Sequence, residues 1–154
     1  MGDYAHTTLI IPVSCDEQAA QYIDADYYSR DVYTHNVDKV DLVSYSYDMV
    51  NQAALDCLDE LELNAIPYKT IWESGNGFEA GERSVKYLPN GEKNVLEFYE
   101  SDKAIHLDHL LQLIDEPEQL KSMILEKSES LKEYPWTDQE KNRKIFLTMQ
   151  LIQV

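Results

Sequence analysis

Five short runs of apolar and β-branched residues in the first two thirds of the chain have the composition of β-strands. They lie at residues 7–13, 40–47, 66–72, 82–88 and 94–99. In the last run, Leu96 and Phe98 are expected on one face of a sheet and the residues between them on the other. Turn-forming residues at 74–77 and 89–92 separate the last three runs, which predicts a meander of three strands.

Apolar residues at helical spacing predict helices between and after these strands. One stripe recurs at spacings of 4, 4 and 3 and predicts a helix capped by Asp48. The stripe consists of Val50, Ala54, Leu58 and Leu61. Residues 14–17 and 137–140 each match the capping-box pattern and predict helix starts. In the last third of the chain, apolar spacing predicts three helices, with Pro117 in the first turn of the second and Pro135 at its end.

Residues 24–39 are predicted to form a loop, because aspartate competes with the backbone for nearby hydrogen-bond donors. The predicted order of elements is therefore β-α-β-α-β-β-β followed by three helices. This order indicates an α+β fold, with a small mixed or antiparallel sheet packed with a C-terminal set of three helices. The sequence contains no internal repeat and no linker, so one domain is expected over residues 1–154.

The charge of the chain is strongly negative and unevenly placed. The chain contains 13 Lys and Arg residues against 29 Asp and Glu, a formal net charge of −16. Residues 16–62 hold 12 acidic and two basic residues. This charge opposes direct binding to nucleic acid, which needs clustered Lys and Arg, and opposes binding to anionic membrane surfaces. It favours a basic protein partner; the alternative is that the charge only aids solubility.

Several other classes of protein are excluded because their sequence signals are missing. No run approaches the ~20 apolar residues that a membrane span needs. The N-terminus lacks the basic region of a signal peptide. The two cysteines, Cys15 and Cys57, are too few for a disulfide scaffold. We therefore expect a cytoplasmic protein.

A segment rich in tyrosine and aspartate is the first candidate binding surface. Six of the 11 tyrosines fall within residues 22–47. Tyrosine offers a large contact area with a polar tip, and carboxylates beside it orient the Arg and Lys side chains of a partner. The predicted contact residues are Asp24, Asp26, Tyr27, Tyr28, Asp31, Tyr33 and Asp38. The alternative is that several tyrosines are half-buried core residues and that the aspartates only cover a loop.

The second candidate surface is an acidic helix face. Asp56, Asp59 and Glu60 lie at positions i, i+3 and i+4, so their side chains are neighbours on the predicted helix. A row of fixed carboxylates resembles the phosphates of a nucleic-acid strand. The alternative is an ordinary solvated helix face.

The sequence predicts no catalytic site, no metal site and no cofactor. His106 and His109 are placed to share a helix face, but a zinc site needs further ligands and no second cluster has suitable spacing. Cys15 lies at a predicted helix start, where the helix dipole lowers the pKa of a thiol, but the sequence names no base beside it. Gly75 and its neighbouring glycines lack the phosphate-loop pattern.

These observations favour a protein that performs no chemistry and blocks a basic, nucleic-acid-handling partner. In acidity and size the chain resembles the DNA-mimic anti-restriction and anti-CRISPR proteins and the immunity proteins of nuclease toxins. No motif carries this resemblance, so it assigns no residues. The alternative is a small enzyme or ligand-binding domain with a pocket near His106, Asp108 and His109.

Overall fold

The computed structural model describes residues 4–51 and 53–153. Within them the main element is a six-stranded antiparallel sheet with the order β2-β3-β1-β4-β5-β6. The strands are β1 (Tyr4–Pro12), β2 (Ser29–Thr34), β3 (Asp41–Asn51), β4 (Tyr68–Trp72), β5 (Gly81–Tyr87) and β6 (Lys93–Tyr99). The sheet confirms the α+β class and shows that its strands are antiparallel.

Within the same residues, five helices and one 3₁₀ turn complete the fold. They are α1 (Val13–Ala19), α2 (Leu58–Leu63), the 3₁₀ turn (Glu100–Lys103), α3 (Leu107–Gln112), α4 (Pro117–Ser130) and α5 (Gln139–Ile152). The three helices expected near the C-terminal end are therefore present as α3, α4 and α5. Across the described part of the chain, no helix combines the length and the apolar character that crossing a membrane requires.

One face of the sheet is packed into the hydrophobic core. Its central side chains are Leu9, Ile11, Val43, Tyr45 and Tyr68, all of them buried. Residues of α1 and α2, together with Phe146 and Leu147 of α5, cover this face. Alternate residues of a strand point to opposite faces, so the same strands place a second set of side chains on the other face. Full burial of each aliphatic side chain stabilises the fold by about 2 kcal/mol.

The opposite face of the sheet is crossed by residues 131–136, which we call the strap. Trp136 of the strap is buried against Ile10 and Leu42. Glu133 of the strap binds Lys69 and Lys86 at 2.8 and 3.1 Å. This face is therefore held by a mixture of apolar packing and ion pairs.

The start of α5 is attached to the end of β5 by buried polar side chains. Gln139 Oε1 accepts a hydrogen bond from the backbone N–H of Tyr87 at 2.8 Å. Asn142 Nδ2 donates to the carbonyl oxygen of the same tyrosine at 2.9 Å. These bonds satisfy backbone groups that would otherwise be buried without partners.

The structure corrects the prediction that residues 24–39 form a loop, because Ser29–Thr34 form the edge strand β2. Each residue from 29 to 34 lies in register with a residue of β3, and hydrogen bonds to β3 at every second residue hold this segment extended. Val32, Tyr33 and Thr34 also have high β propensity. The prediction gave too much weight to the single aspartate within these residues, Asp31.

The predicted helix with Asp48 as its cap is also wrong. β3 continues through Asp48 to Asn51, and Val50 pairs with Ala5 of β1. The helix α2 begins only at Leu58. Of the four residues of the stripe, Val50 lies in β3, Ala54 is exposed in the connection that follows, and Leu58 and Leu61 lie in α2. Apolar residues at spacings of three or four are therefore not restricted to one helix. Asn64 does end α2, as predicted.

Neither predicted capping box forms. Pro12 is the N-terminal cap residue of α1, and no side chain caps this helix. Asp138 occupies the cap position of α5 with a φ of 62°, again with no side-chain cap hydrogen bond. The start of α1 is held by its packing against β1, and the start of α5 by the hydrogen bond between Gln139 and the backbone of Tyr87.

Candidate acidic interface

Four aspartates line a cleft of about 420 Å³ beside the end of β3. Asp24 and Asp26 come from the loop before β2, Asp48 from β3 and Asp56 from the turn before α2. Tyr47, Val50 and Leu55 are among the other lining residues. The loop, the strand and the turn meet here because Tyr27 and Tyr47 pack into the same side of the core.

In the described part of the chain, these four aspartates form no ion pair with lysine or arginine. Among the described residues, Arg30 with Asp16 is the only Lys or Arg ion pair that uses an aspartate. Every other such pair uses a glutamate. Asp48 has a histidine partner, His6, at 3.1 Å. Lysine and arginine therefore neutralise mainly glutamates, and the aspartates of the cleft keep their negative charge without such partners.

The carboxylates of the cleft contribute to the raised pKa values of two neighbouring groups. Burial raises the pKa of the Tyr47 hydroxyl, and the charges of Cys57, Asp24 and Asp26 raise it further. That hydroxyl donates to the carbonyl oxygen of Asp24 at 3.3 Å. Burial likewise raises the pKa of the Cys57 thiol to about 11, with Asp24 adding to the shift. Both groups stay neutral near pH 7, so the carboxylates set the charge of the cleft.

The tyrosines predicted as contact residues occupy three different environments. Tyr27 is half-buried and packs edge-on against Tyr45, with ring centroids 4.9 Å apart. Tyr28 is 59% exposed and stacks at an angle on His6 near the cleft aspartate Asp48. Tyr33 is exposed on the opposite face of the sheet. Only Tyr28 lies at the surface on the side of the cleft.

The predicted acidic residues divide in the same way. The structure brings Asp24, Asp26 and Asp56 into one cleft. Asp59 and Glu60 follow on the exposed side of α2, while Asp56 precedes the helix and is not part of its face. Asp31 lies on β2, where its carboxylate accepts from Ser29 Oγ at 2.7 Å.

Asp38 lies apart from the cleft and has a structural role. Its carboxylate accepts the backbone N–H of Trp136 in the strap and lies 3.7 Å from His35 Nδ1. Asp48, by contrast, joins the cleft although the sequence interpretation gave it only a capping role. The signal that would have found it is the alternation of Tyr45 and Tyr47, which continues the strand through residue 48.

A second groove, of about 480 Å³, lies on the opposite face of the sheet. Tyr33 of β2 and Ile71 of β4 line it together with Tyr134 and Trp136 of the strap. No local pattern in the sequence predicts this groove, because it joins residues about a hundred positions apart in the chain. Two ion pairs, Lys69 with Glu82 and Lys69 with Glu133, fix its charged side.

The two histidines of the alternative hypothesis line a third cleft, of about 330 Å³. His106 and His109 face Met123, Glu126 and Lys127 there, and Asp108 is not among the lining residues. Among residues 4–51 and 53–153, no group of three or more His, Cys, Asp or Glu is placed to hold a metal ion.

Cys15 is buried in the first turn of α1. Burial raises the pKa of its thiol to about 11, which the nearby Arg143 only partly opposes. The effect expected from a helix start is therefore outweighed by desolvation, since an apolar environment disfavours the thiolate. A thiol in this state is not an activated nucleophile.

Comparison of the chain with known protein families, with curated proteins and with solved structures finds no significant match.

Proposed function

We propose that the protein is an acidic, cytoplasmic inhibitor of the immunity or anti-defence type. It binds a basic, nucleic-acid-handling protein and blocks that partner's binding groove without performing chemistry. The surface assigned to this function is the acidic cleft, formed by Asp24, Asp26, Asp48 and Asp56, together with Asp59 and Glu60 of α2.

The observation that carries the proposal is the segregation of ion pairs. The lysines and arginines that form ion pairs are neutralised by glutamates, with Arg30 as the exception. The cleft aspartates are thus left to repel one another, which costs folding free energy. A partner that brings lysine and arginine side chains to the cleft relieves this repulsion.

The geometry suits capture of cations from outside. Asp48 on β3 and the pair Asp59 and Glu60 on α2 are held by regular structure, so their carboxylates need little reorganisation to accept charge-assisted hydrogen bonds. Tyr28 beside the cleft supplies an exposed aromatic surface for arginine or lysine stems. Long-range attraction speeds encounter, so the effect of the cleft is expected mainly on the association rate and on its salt dependence.

The test compares two triple charge reversals in a salt-dependent capture experiment. Asp24, Asp26 and Asp56 are changed to Lys in the cleft variant; Asp108, Asp115 and Glu118, exposed near α3 and α4, are changed to Lys in the control. Both variants change the net charge equally. We expect the wild-type chain and the control to capture one basic partner from the source cell at about 0.1 M salt and to lose it near 1 M.

The cleft variant is expected to capture no partner at either salt concentration. It should still show a cooperative thermal unfolding transition, which shows that it is folded. Equal capture by the cleft variant and the control would contradict the proposal. A captured protein that is acidic, or that binds no nucleic acid, would contradict it as well.

A second candidate function rests on the cleft that contains both His106 and His109. In this alternative the chain binds a small ligand between α3 and α4. Zinc is the first probe, because two imidazoles within one cleft are half of a typical zinc site. Stoichiometric zinc in the purified protein that is lost on His109→Ala would favour this alternative; unchanged spectra of both histidines on addition of zinc would count against it.

A further inference from the structure

Among the residues that the structure describes, the strand β2 forms one edge of the sheet and pairs with a single neighbour, β3. Five of its six residues are exposed. Val32 and Tyr33 are 56% and 39% exposed, and Val37 in the turn that follows is 81% exposed. Exposed edge strands are usually protected by lysine, by proline or by a bulge, because their free backbone groups pair with other chains. β2 contains no lysine and no proline, and its register with β3 is continuous.

The backbone groups that this edge offers follow from the pairing pattern. The N–H of His35, next to β2, donates to the carbonyl oxygen of Val40 at 2.8 Å. Bonded positions of an antiparallel pair recur at every second residue. The N–H and C=O groups of Arg30, Val32 and Thr34 therefore point away from β3, toward the open edge.

The side chains along the edge repeat one pattern on both faces. On the face of the second groove, Tyr33 lies beside Asp31. On the core face, Val32 lies near Asp41, whose carboxylate accepts a hydrogen bond from Thr34 at 2.6 Å. Each face of the edge thus offers one exposed apolar side chain and one carboxylate. Neither Asp31 nor Asp41 forms a Lys or Arg ion pair in the described chain.

The charge around the edge selects its occupant. Residues 24–48 contain six aspartates, one arginine and one lysine, and the arginine is already bound to Asp16. A second copy of this chain would bring the same aspartates against themselves. An extended segment with lysine or arginine next to apolar residues matches the charge and the apolar side chains on both faces.

We propose that β2 is a docking edge, and that an extended basic segment of a protein partner adds to the sheet as a seventh strand beside it. Backbone hydrogen bonds supply the affinity of such strand addition, and the side chains of alternate residues supply its specificity. The inference rests on the proposed function, since it identifies a part of the same basic partner. The docking edge is continuous with the acidic cleft. Tyr28, which directly precedes β2, contacts His6, and His6 binds the cleft residue Asp48.

The probe is a capped peptide with the sequence Lys-Lys-Val-Val-Lys-Lys, as long as the six residues of β2, which places both lysine and valine on each face of the added strand. Two further peptides carry N-methyl groups on the odd or on the even backbone nitrogens. One of these loses the hydrogen bonds to β2 while the other keeps them, although their charges and side chains are identical. We expect only one methylated peptide to bind, and we expect the unmodified peptide to slow hydrogen exchange at the amides of Arg30, Val32 and Thr34.

Two substitutions test the edge from the side of the protein. Val32→Pro removes an outward N–H at an edge position where proline is tolerated. Val32→Thr keeps that N–H and the shape of the side chain. We expect the proline variant to bind the unmodified peptide about tenfold more weakly, with the threonine variant close to the wild-type chain. If the proline variant does not fold, the methylated peptides still decide the question on the wild-type protein.

Equal binding of both methylated peptides, with no slowing of the three amides, would overturn the docking edge. The proposed function would stand in that case, because its own failure is signalled by the cleft charge reversal in the capture experiment. A concentration-dependent dimer of the wild-type chain that Val32→Pro disrupts would identify a second copy as the occupant and would also overturn the inference.

Discussion

The ammonium group of Lys86 lies 3.3 Å from the centroid of the Trp136 ring. It also donates hydrogen bonds to Glu133 Oε1 at 3.1 Å and to the carbonyl oxygen of Tyr134 at 3.3 Å. The side chain of Lys86 is 1% exposed. This buried cation therefore joins β5 to the strap by one cation–π contact and two hydrogen bonds, although burial of its charge is itself unfavourable.

The pKa of Lys86 predicts a rise in stability with pH. Burial lowers this pKa to about 8, although the charge and hydrogen bond of Glu133 oppose the shift. Unfolding restores the ordinary value, so between about pH 8 and 10 the unfolded chain binds a proton that the folded chain has released. The free energy of unfolding should rise over that interval, by at most about 3 kcal/mol. Lys86→Met should flatten the rise in urea titrations, whereas Lys103→Met, at an exposed lysine, should leave it unchanged.

Glu62 predicts a loss of stability in acid. Burial raises the pKa of this carboxyl, but hydrogen bonds from Arg83, Lys93 and Tyr68 outweigh burial and lower it to about 2. The stabilisation is therefore complete above the unfolded value and is lost as the pH falls toward 2. Glu62→Gln should cost up to about 3 kcal/mol at neutral pH and much less near pH 2. Glu97→Gln is the control, because Glu97 binds the same Arg83 from a more exposed position and should cost less than about 1 kcal/mol.

Arg143 predicts a large and specific loss of stability on substitution. Its guanidinium donates to the carbonyl oxygens of Asn64 and Ala65 at the end of α2, and to Gln18 Oε1. A lysine cannot reach all three acceptors, so Arg143→Lys should destabilise the fold by about 2–4 kcal/mol in urea unfolding. Arg143 also binds Glu140 at 3.2 Å, and Lys144 is an exposed second partner of that carboxylate. Lys144→Met should therefore change stability by less than about 0.5 kcal/mol. Equal losses in the two variants would contradict the assigned role.

Self-repulsion in the acidic cleft predicts that its neutralisation is stabilising. Replacing Asp24, Asp26 and Asp56 by Asn should raise the melting temperature at low salt. The corresponding gain in the free energy of unfolding should be below about 1 kcal/mol. The gain should shrink as added salt shortens the screening length from ~10 Å at 0.1 M to ~3 Å at 1 M. Neutralising Asp108, Asp115 and Glu118 instead should give a smaller gain. A cleft variant that melts below the wild-type chain at every salt concentration would show that these carboxylates stabilise the fold.

The sequence predicted those strands that are joined by short turns with recognisable turn residues. The meander β4-β5-β6 follows from the turn residues between its strands, and the alternation of Leu96 with its neighbours is confirmed. The edge strand β2 was not predicted, because its extended conformation depends on hydrogen bonds from every second residue to β3 and not on interactions among its own residues. The stripe beginning at Val50 was misread because pairing with Ala5 extends β3.

The site could be predicted only in part, for a similar reason. The charge of the segment is visible in the sequence, and Asp24, Asp26 and Asp56 do meet in one cleft. Whether these aspartates are neutralised depends on which cations lie nearby in space, and ion pairs such as Lys69 with Glu133 and Arg83 with Glu62 join residues far apart in the chain. The groove beside Trp136 and the attachment of Gln139 to Tyr87 also join residues far apart in sequence, and no periodicity marks them.

The most direct test of the account is a competition for nucleic acid. Once the basic partner is captured and purified, a fluorescent DNA or RNA bound to it is followed by anisotropy while this protein is added. The account predicts release of the nucleic acid by the wild-type chain and by the Asp108, Asp115 and Glu118 charge reversal, but not by the charge reversal of Asp24, Asp26 and Asp56. Nucleic acid that stays bound when the wild-type chain is in excess, or that is released equally by the cleft variant, would contradict it.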